Sequence, residues 1–333
     1  MSASRLSAIA FFLVTPTLSA QATAPLPELH LTGPLTVSGL SSGGYMAVQF
    51  HLAFSDLVDG AGVIAAGPWG CAQNSLVTAL ADCLNKDKSP DLAVLRQQLD
   101  KAAAASQIHD LKGVKQDKVF LLHGQKDLTV HQNVTDSLAE QYRQLAADVL
   151  YIKDMPFAHH FPTERKGNAC DTSTTPFIGA CNYDTAGILL RQLLGPLQLK
   201  SQTMDGKLLT VDQQQLGGEF AKGLANEAYL FVPQSCLTGK PCRLHISFHG
   251  CKQHSGAVGD VYARDSGLNE WAASNQLVVL YPQIKASLAA PLNPNGCWDW
   301  WGYTGEDYAT RSGEQPKAVL QMIKNLGYTF ASQ

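Results

Sequence analysis

Gly39-Leu40-Ser41-Ser42-Gly43 is the first place in this chain where residue type and spacing suit nucleophilic chemistry. A serine on a tight turn between strand and helix has a crowded backbone, and glycines two positions before and after it relieve the crowding. Such a turn lifts the Ser41 hydroxyl above a sheet edge. It also aims the next backbone N–H, that of Ser42, at the point where an oxyanion would form. The hydroxyl then needs a base, and the base needs a carboxylate to orient it. Asp127 stands just past the apolar run 118–122, where a parallel sheet places its chemistry. A helical stretch at 130–145 follows, so Asp127 fits either a triad acid or a helix N-cap. The next such turn, after 148–152, carries His159 and His160. His159 is the favoured base and His160 the reserve. A third turn, His249-Gly250-Cys251, follows the apolar run 243–248 and offers the Cys251 N–H as a second oxyanion donor.

These groups need a sheet to hold them. Residues 35–38, 58–66, 118–122, 148–152, 228–233, 243–248 and 277–281 read as strands, the last an unbroken apolar run. Residues 45–54, 91–106, 130–145, 184–194, 261–274 and 313–325 read as helical. Residues 67–83 read as a surface loop with a short helical piece, and 195–215 as a polar connection inside one domain. Strands alternating with helices predict an α/β fold with a mostly parallel sheet and helices on both faces. An ordinary α/β-hydrolase brings its oxyanion loop before its nucleophile elbow. Here the elbow comes first and the best oxyanion turn last, and joining the chain's two ends restores the usual order. The prediction is a circularly permuted α/β-hydrolase fold. Strand 35–38 should lie beside and parallel to strand 243–248, with the mature ends close together.

The 333 residues are 45% hydrophobic with a net charge of −3. That gives ample core and no basic field, which argues against a nucleic-acid partner. Arg5, the apolar run 6–14 and Ala20-Gln21-Ala22 form a signal-peptide pattern. Residues 1–22 are therefore expected to be removed, leaving 23–333 as a single catalytic domain. No later run is long and apolar enough for a membrane helix, so a soluble, secreted protein is expected, extracellular or periplasmic, without a membrane partner. The eight cysteines suggest disulfides in such a chain. Pairing in chain order gives Cys71–Cys83, Cys170–Cys181, Cys236–Cys242 and Cys251–Cys297. The last would tie the oxyanion turn to the Trp-rich stretch. No C-x2-C pair is present and nothing at ligand spacing follows the paired histidines, so no metal is expected, nor any other cofactor. Trp298, Trp300 and Trp301 read as a buried aromatic cluster or as the wall of an apolar cleft.

Five motifs, taken together, resemble the secreted polyhydroxybutyrate (PHB) depolymerases whose oxyanion segment follows the triad. They are Gly39-Leu-Ser41-Ser-Gly-Gly-Tyr-Met-Ala47, His123-Gly-x-x-Asp127-x-x-Val130, His159-x-Phe-Pro-Thr163, Leu244-His-Ile-Ser-Phe-His-Gly-Cys251 and Asn295-Gly-Cys-Trp-Asp-Trp-Trp-Gly-Tyr303. The resemblance spans nearly the whole mature chain. It implies hydrolysis of poly(3-hydroxybutyrate) or its oligomers by Ser41, Asp127 and His159, with Ser42 and Cys251 as backbone oxyanion donors. It also implies that a tryptophan of 298–301 reaches the substrate crevice. Two departures stand out: Ala158 replaces the glycine that often precedes the histidine, and no linker or polymer-binding domain precedes Gln333. Solid polymer would then meet the catalytic domain's own surface, and soluble oligomers would be the better substrate. A monomer is expected. The rival readings are a feruloyl or acetyl-xylan esterase, and a non-catalytic binding protein on the same fold.

Overall fold

Alternation along the strands explains the core. In β3 (Lys118–Gly124), Val119 and Leu121 enter one hydrophobic cluster while Phe120 and Leu122 enter another on the opposite face. A strand buried on both faces reads as a continuous apolar run, and that is how the central strands read in the sequence. The computed structural model describes residues 23, 25–85 and 87–330, so the expected signal peptide lies outside the described residues.

The other strands are β1 (Leu31–Leu40), β2 (Gly60–Ile64), β4 (Asp148–Met155), β5 (Phe161–Thr163), β6 (Asn168–Ala169), β7 (Ile178–Ala180), β8 (Gly206–Asp212), β9 (Glu227–Pro233), β10 (Cys242–Phe248) and β11 (Leu277–Tyr281). The main sheet runs β4-β3-β2-β1-β10-β11-β9-β8. From β4 to β11 every pairing is parallel, and β9 pairs antiparallel with both β11 and β8. This is the mostly parallel α/β sheet expected. The connection at 195–215 contributes the edge strand β8, which the polar composition of that stretch concealed. Strands β5, β7 and β6 form a small separate sheet.

Helices cover both faces. On one, α1 (Ser42–Ala53), α4 (Gln132–Gln144) and the helix Glu314–Asn325 bury Phe50, Tyr142 and Met322. On the other, α5 (Thr185–Leu194) and the helix Leu268–Ser274 bury Leu189 and Trp271. Between β2 and β3 lie the short helix α2 (Leu76–Asp82), which matters below, and the longer α3 (Leu92–Ala104).

Strand β1 lies beside β10, with Ser38 opposite Ser247 and Gly39 opposite Phe248. Between them His245 accepts or donates at both ring nitrogens, 2.8 Å from Thr36 Oγ1 and 2.8 Å from Ser38 Oγ. The two ends of the described chain also meet, through a parallel bridge between Leu31 and Tyr328 and a hydrogen bond from Thr329 N to Leu31 O.

Candidate active site

Strand β1 ends at Leu40 and α1 begins at Ser42, leaving Ser41 alone in the turn with φ 57° and ψ −122°. A side-chain-bearing residue holds this conformation only when its surroundings enforce it. They do so here. Ser41 N donates to Ile64 O at 2.9 Å, and Ser41 O accepts the first helical bond from Tyr45 N. A Cβ on Gly39 would stand 2.1 Å from Gly43 O, and one on Gly43 would stand 2.2 Å from Phe248 O. Both glycines are therefore fixed by backbone contact. Ser42 is the first residue of α1, so its N–H has no intrahelical acceptor and is available to a ligand.

Asp127 and His159 meet because two turns are pressed together. Gln125 N donates to Met155 O, and Lys126 N to Phe157 O. A Cβ on Gly124 would lie 2.1 Å from Phe157 O, so only glycine permits this approach. Asp127 Oδ2 then lies 2.7 Å from His159 Nδ1, while Oδ1 accepts from Thr129 N and Val130 N. Asp127 thus does both things the sequence allowed, holding the histidine and capping the turn into α4. Burial pushes the Asp127 pKa up, but the facing His159 charge, its hydrogen bond, His123 and the Thr129 N–H together outweigh it. The net shift is downward and keeps the carboxylate ionised.

His160 points elsewhere. It is fully buried, with Nδ1 3.2 Å from Thr172 O and Nε2 3.3 Å from Cys181 Sγ. Burial, the largest influence, pushes its pKa down. His159 lines the cleft beside Ser41, and His160 does not. His160, Cys170 and Cys181 cluster tightly, but both sulfurs are spent in the Cys170–Cys181 disulfide and no thiolate remains to ligate a metal.

The third turn abuts the elbow: a Cβ on Gly250 would sit 3.3 Å from Leu40 O and 3.5 Å from Ser41 Cβ. Its peptides are held by side chains. Ile284 N donates to His249 Nε2 at 3.2 Å, so the proton sits on Nδ1, which donates to Gly250 O at 2.7 Å. Burial depresses the His249 pKa to about 3, keeping the ring neutral. Gln253 Oε1 accepts from Gly250 N, and its amide group donates to Pro176 O and Phe177 O. The Gly250 carbonyl and the Cys251 N–H share one peptide plane, so pinning the first aims the second.

The cysteines are joined as Cys71–Cys83, Cys170–Cys181, Cys236–Cys242 and Cys251–Cys297. The last ties the oxyanion turn to the Trp-rich loop, with Lys252 N donating to Asn295 O alongside. Inside that loop Asp299 accepts from the backbone N–H groups of Trp301, Gly302, Tyr303 and Thr304. Sequence reading passed over Asp299, whose partners lie within five residues of it. The expectation for the tryptophans needs one correction. Trp298 is fully buried against Phe248 and His249, contacts that turn it into the core, and it does not line the cleft. Trp300 stacks on Tyr45 at 4.9 Å and Trp301 packs edge-on to Trp300, and both line the cleft.

The cleft encloses about 450 Å³ and collects Ser41, Ser42, His159 and Cys251 under walls of Leu40, Phe177 and Trp300. One wall was missed from sequence. Leu76 and Leu80 of α2, with Leu84, also line the cleft, and the Cys71–Cys83 disulfide and the Tyr45 hydroxyl bond to Cys83 O hold that segment in place. The i, i+4, i+8 spacing of these leucines was the available signal.

No protein-family model matches the chain. It is 38% identical over 313 residues to a poly(3-hydroxybutyrate) depolymerase of Delftia acidovorans, covering 92% of this chain and 62% of that one. It therefore spans less than two thirds of the length of that relative. It is 35% identical to a polyhydroxybutyrate depolymerase of Talaromyces funiculosus, over 90% of this chain and 92% of that protein. The crystal structure of PHB depolymerase from Penicillium funiculosum superposes with a TM-score of 0.85 at 33% identity, covering 92% of this chain and all of that one. A serine-to-alanine variant of a PHB depolymerase, solved in complex with an R3HB trimer, is equally similar.

Proposed function

The chain belongs to the polyhydroxybutyrate depolymerase family, and we propose that it hydrolyses the ester bonds of poly(3-hydroxybutyrate) and its oligomers with Ser41, His159 and Asp127. The observation that carries the reading is the Asp127–His159 pair at 2.7 Å, with His159 and the strained Ser41 lining one apolar cleft.

The chemistry follows from the geometry. Asp127 accepts the Nδ1 proton of His159, which leaves Nε2 as the base facing the cleft. As Ser41 Oγ bonds to the ester carbon, its proton passes to His159. The carbonyl oxygen becomes an anion between the N–H groups of Ser42 and Cys251, each such donor contributing about 3 kcal/mol to the transition state. His159 then protonates the leaving alcohol as the ester C–O bond breaks, and water resolves the acyl-enzyme by the reverse sequence. Apolar walls suit a substrate whose interior units carry methyl groups and esters but no charge.

The remaining roles rest on the same reading. Residues 1–22 act as a signal peptide and 23–333 as one catalytic, monomeric domain. Export agrees with the four disulfides. Among the described residues, no helix is long and apolar enough to cross a membrane. A circular permutation of the hydrolase order is supported by the β1–β10 pairing and by the Leu31–Tyr328 bridge.

The deciding experiment measures product release from poly(3-hydroxybutyrate) film and from soluble hydroxybutyrate trimer, with wild type beside Ser41→Ala. Cleavage by wild type and a loss of about 10⁴-fold or more in kcat for the folded variant are expected. A folded wild type that cleaves neither substrate would sink the assignment.

A further inference from the structure

Lys252 is the one lysine lining the cleft, and no arginine, aspartate or glutamate joins it there among the described residues. Seven of the described lysines form ion pairs, among them Lys88 with Asp82 and Lys153 with Asp136. Lys252 is exposed and forms no ion pair with any described residue. Its backbone has φ 61°, a left-handed conformation that glycine would adopt without strain. A long cationic side chain nevertheless occupies the position. The backbone beneath it is fixed on both sides, by the Cys251–Cys297 bond and by Lys252 N donating to Asn295 O at 2.7 Å. An unpaired cation is thus held one residue from the N–H assigned to the oxyanion.

A hydroxybutyrate chain carries a single charge, the carboxylate at one end. The acyl part of any scissile ester runs toward the hydroxyl end, so the leaving alcohol always carries the carboxylate. When one unit leaves, that carboxylate is only three carbons from the ester oxygen, within the reach of a lysine whose backbone adjoins the oxyanion site. We propose that Lys252 binds the chain-terminal carboxylate on the leaving-alcohol side of the scissile ester. This inference rests on the polyester-hydrolase reading above and extends it to the choice of bond. Short acids are cut near their carboxyl end, whereas the interior of a long chain gains nothing from Lys252.

The test compares hydroxybutyrate trimer as the free acid with its methyl ester, at pH 8, where the acid is fully ionised. The readout is the ratio of their kcat/KM values. Wild type should favour the acid by about two- to fivefold, the range of a solvent-facing ion pair. Lys252→Met should bring the ratio to about one, Lys252→Glu should invert it, and Lys252→Arg should keep it. Added salt at 0.5 M should compress the wild-type ratio. A wild-type ratio of one, or a preference that survives Lys252→Met in folded protein, overturns the inference. Cleavage of the methyl ester at a ratio of one leaves the esterase reading standing, whereas cleavage of neither substrate removes both.

Discussion

Adjacent histidines in an irregular loop cannot be told apart from sequence, because no strand or helix period says which one faces inward. Contacts separate them: His159 meets Asp127, and His160 packs on the Cys170–Cys181 disulfide. His159→Ala should therefore lower kcat by about 10³-fold or more at unchanged melting temperature. His160→Ala should instead lower the melting temperature, since it empties a buried site. The opposite pattern would reverse the assignment. His249 acts through another group. Its Nδ1–H holds the Gly250 carbonyl and thereby aims the Cys251 N–H. His249→Phe should reduce kcat by about tenfold or more with little change in KM, because a misaimed donor is missed only in the transition state. Partial recovery in His249→Gln, whose amide can still donate to Gly250 O, would separate this role from packing. Equal losses in kcat and melting temperature across both variants would reduce His249 to a core residue.

Short elements are where sequence and structure part. The elbow, the acid turn and the oxyanion turn were legible because each is a local signature placed at the end of an apolar strand. Strands β5 and β7 have three residues and β6 has two, too few for any period to register. The polar segment containing β8 lies at the sheet edge, where one face is open and the apolar signal is diluted. Trp298 was read with its neighbours because composition does not record which way a loop residue turns. Helix α2 carries a consequence of its own: Val77 is 78% exposed, on the helix that walls the cleft. If the cleft takes a polyester as proposed, an apolar side chain held out beside it is suited to rest on solid polymer. Val77→Ser should weaken adsorption to film by about tenfold, taking a buried valine at about 1.5 kcal/mol. Trimer turnover should change far less. Equal loss on film and trimer would assign α2 to the cleft alone.

Across the molecule, besides His160, three further buried histidines among the described residues have their pKa pushed down. Burial, the main cause in each, lowers the pKa of His123 to about 4 and of His245 and His249 to about 3. Each folded pKa lies below the unfolded value of about 6.5, so the unfolded chain binds more protons between those limits. The stability they contribute is complete above pH 6.5 and is lost as pH falls toward 4 and then 3. The melting temperature should fall steadily from pH 6.5 to pH 4, and a flat profile over that range would contradict the buried neutral assignment. The pairing of β1 with β10 also sets an order in time. The ribosome delivers the serine, the acid and the histidine before residue 160, but the strand that closes the other edge of β1 begins at Cys242. At 5–20 residues per second, the roughly two hundred residues between them take on the order of ten to forty seconds. Through that interval the central strand of the future sheet has an open edge, a template for pairing with other chains. On the proposed mechanism, the nascent chain holds its serine before the segment that would hold the oxyanion exists, and it is complete as a catalyst only when its last quarter emerges.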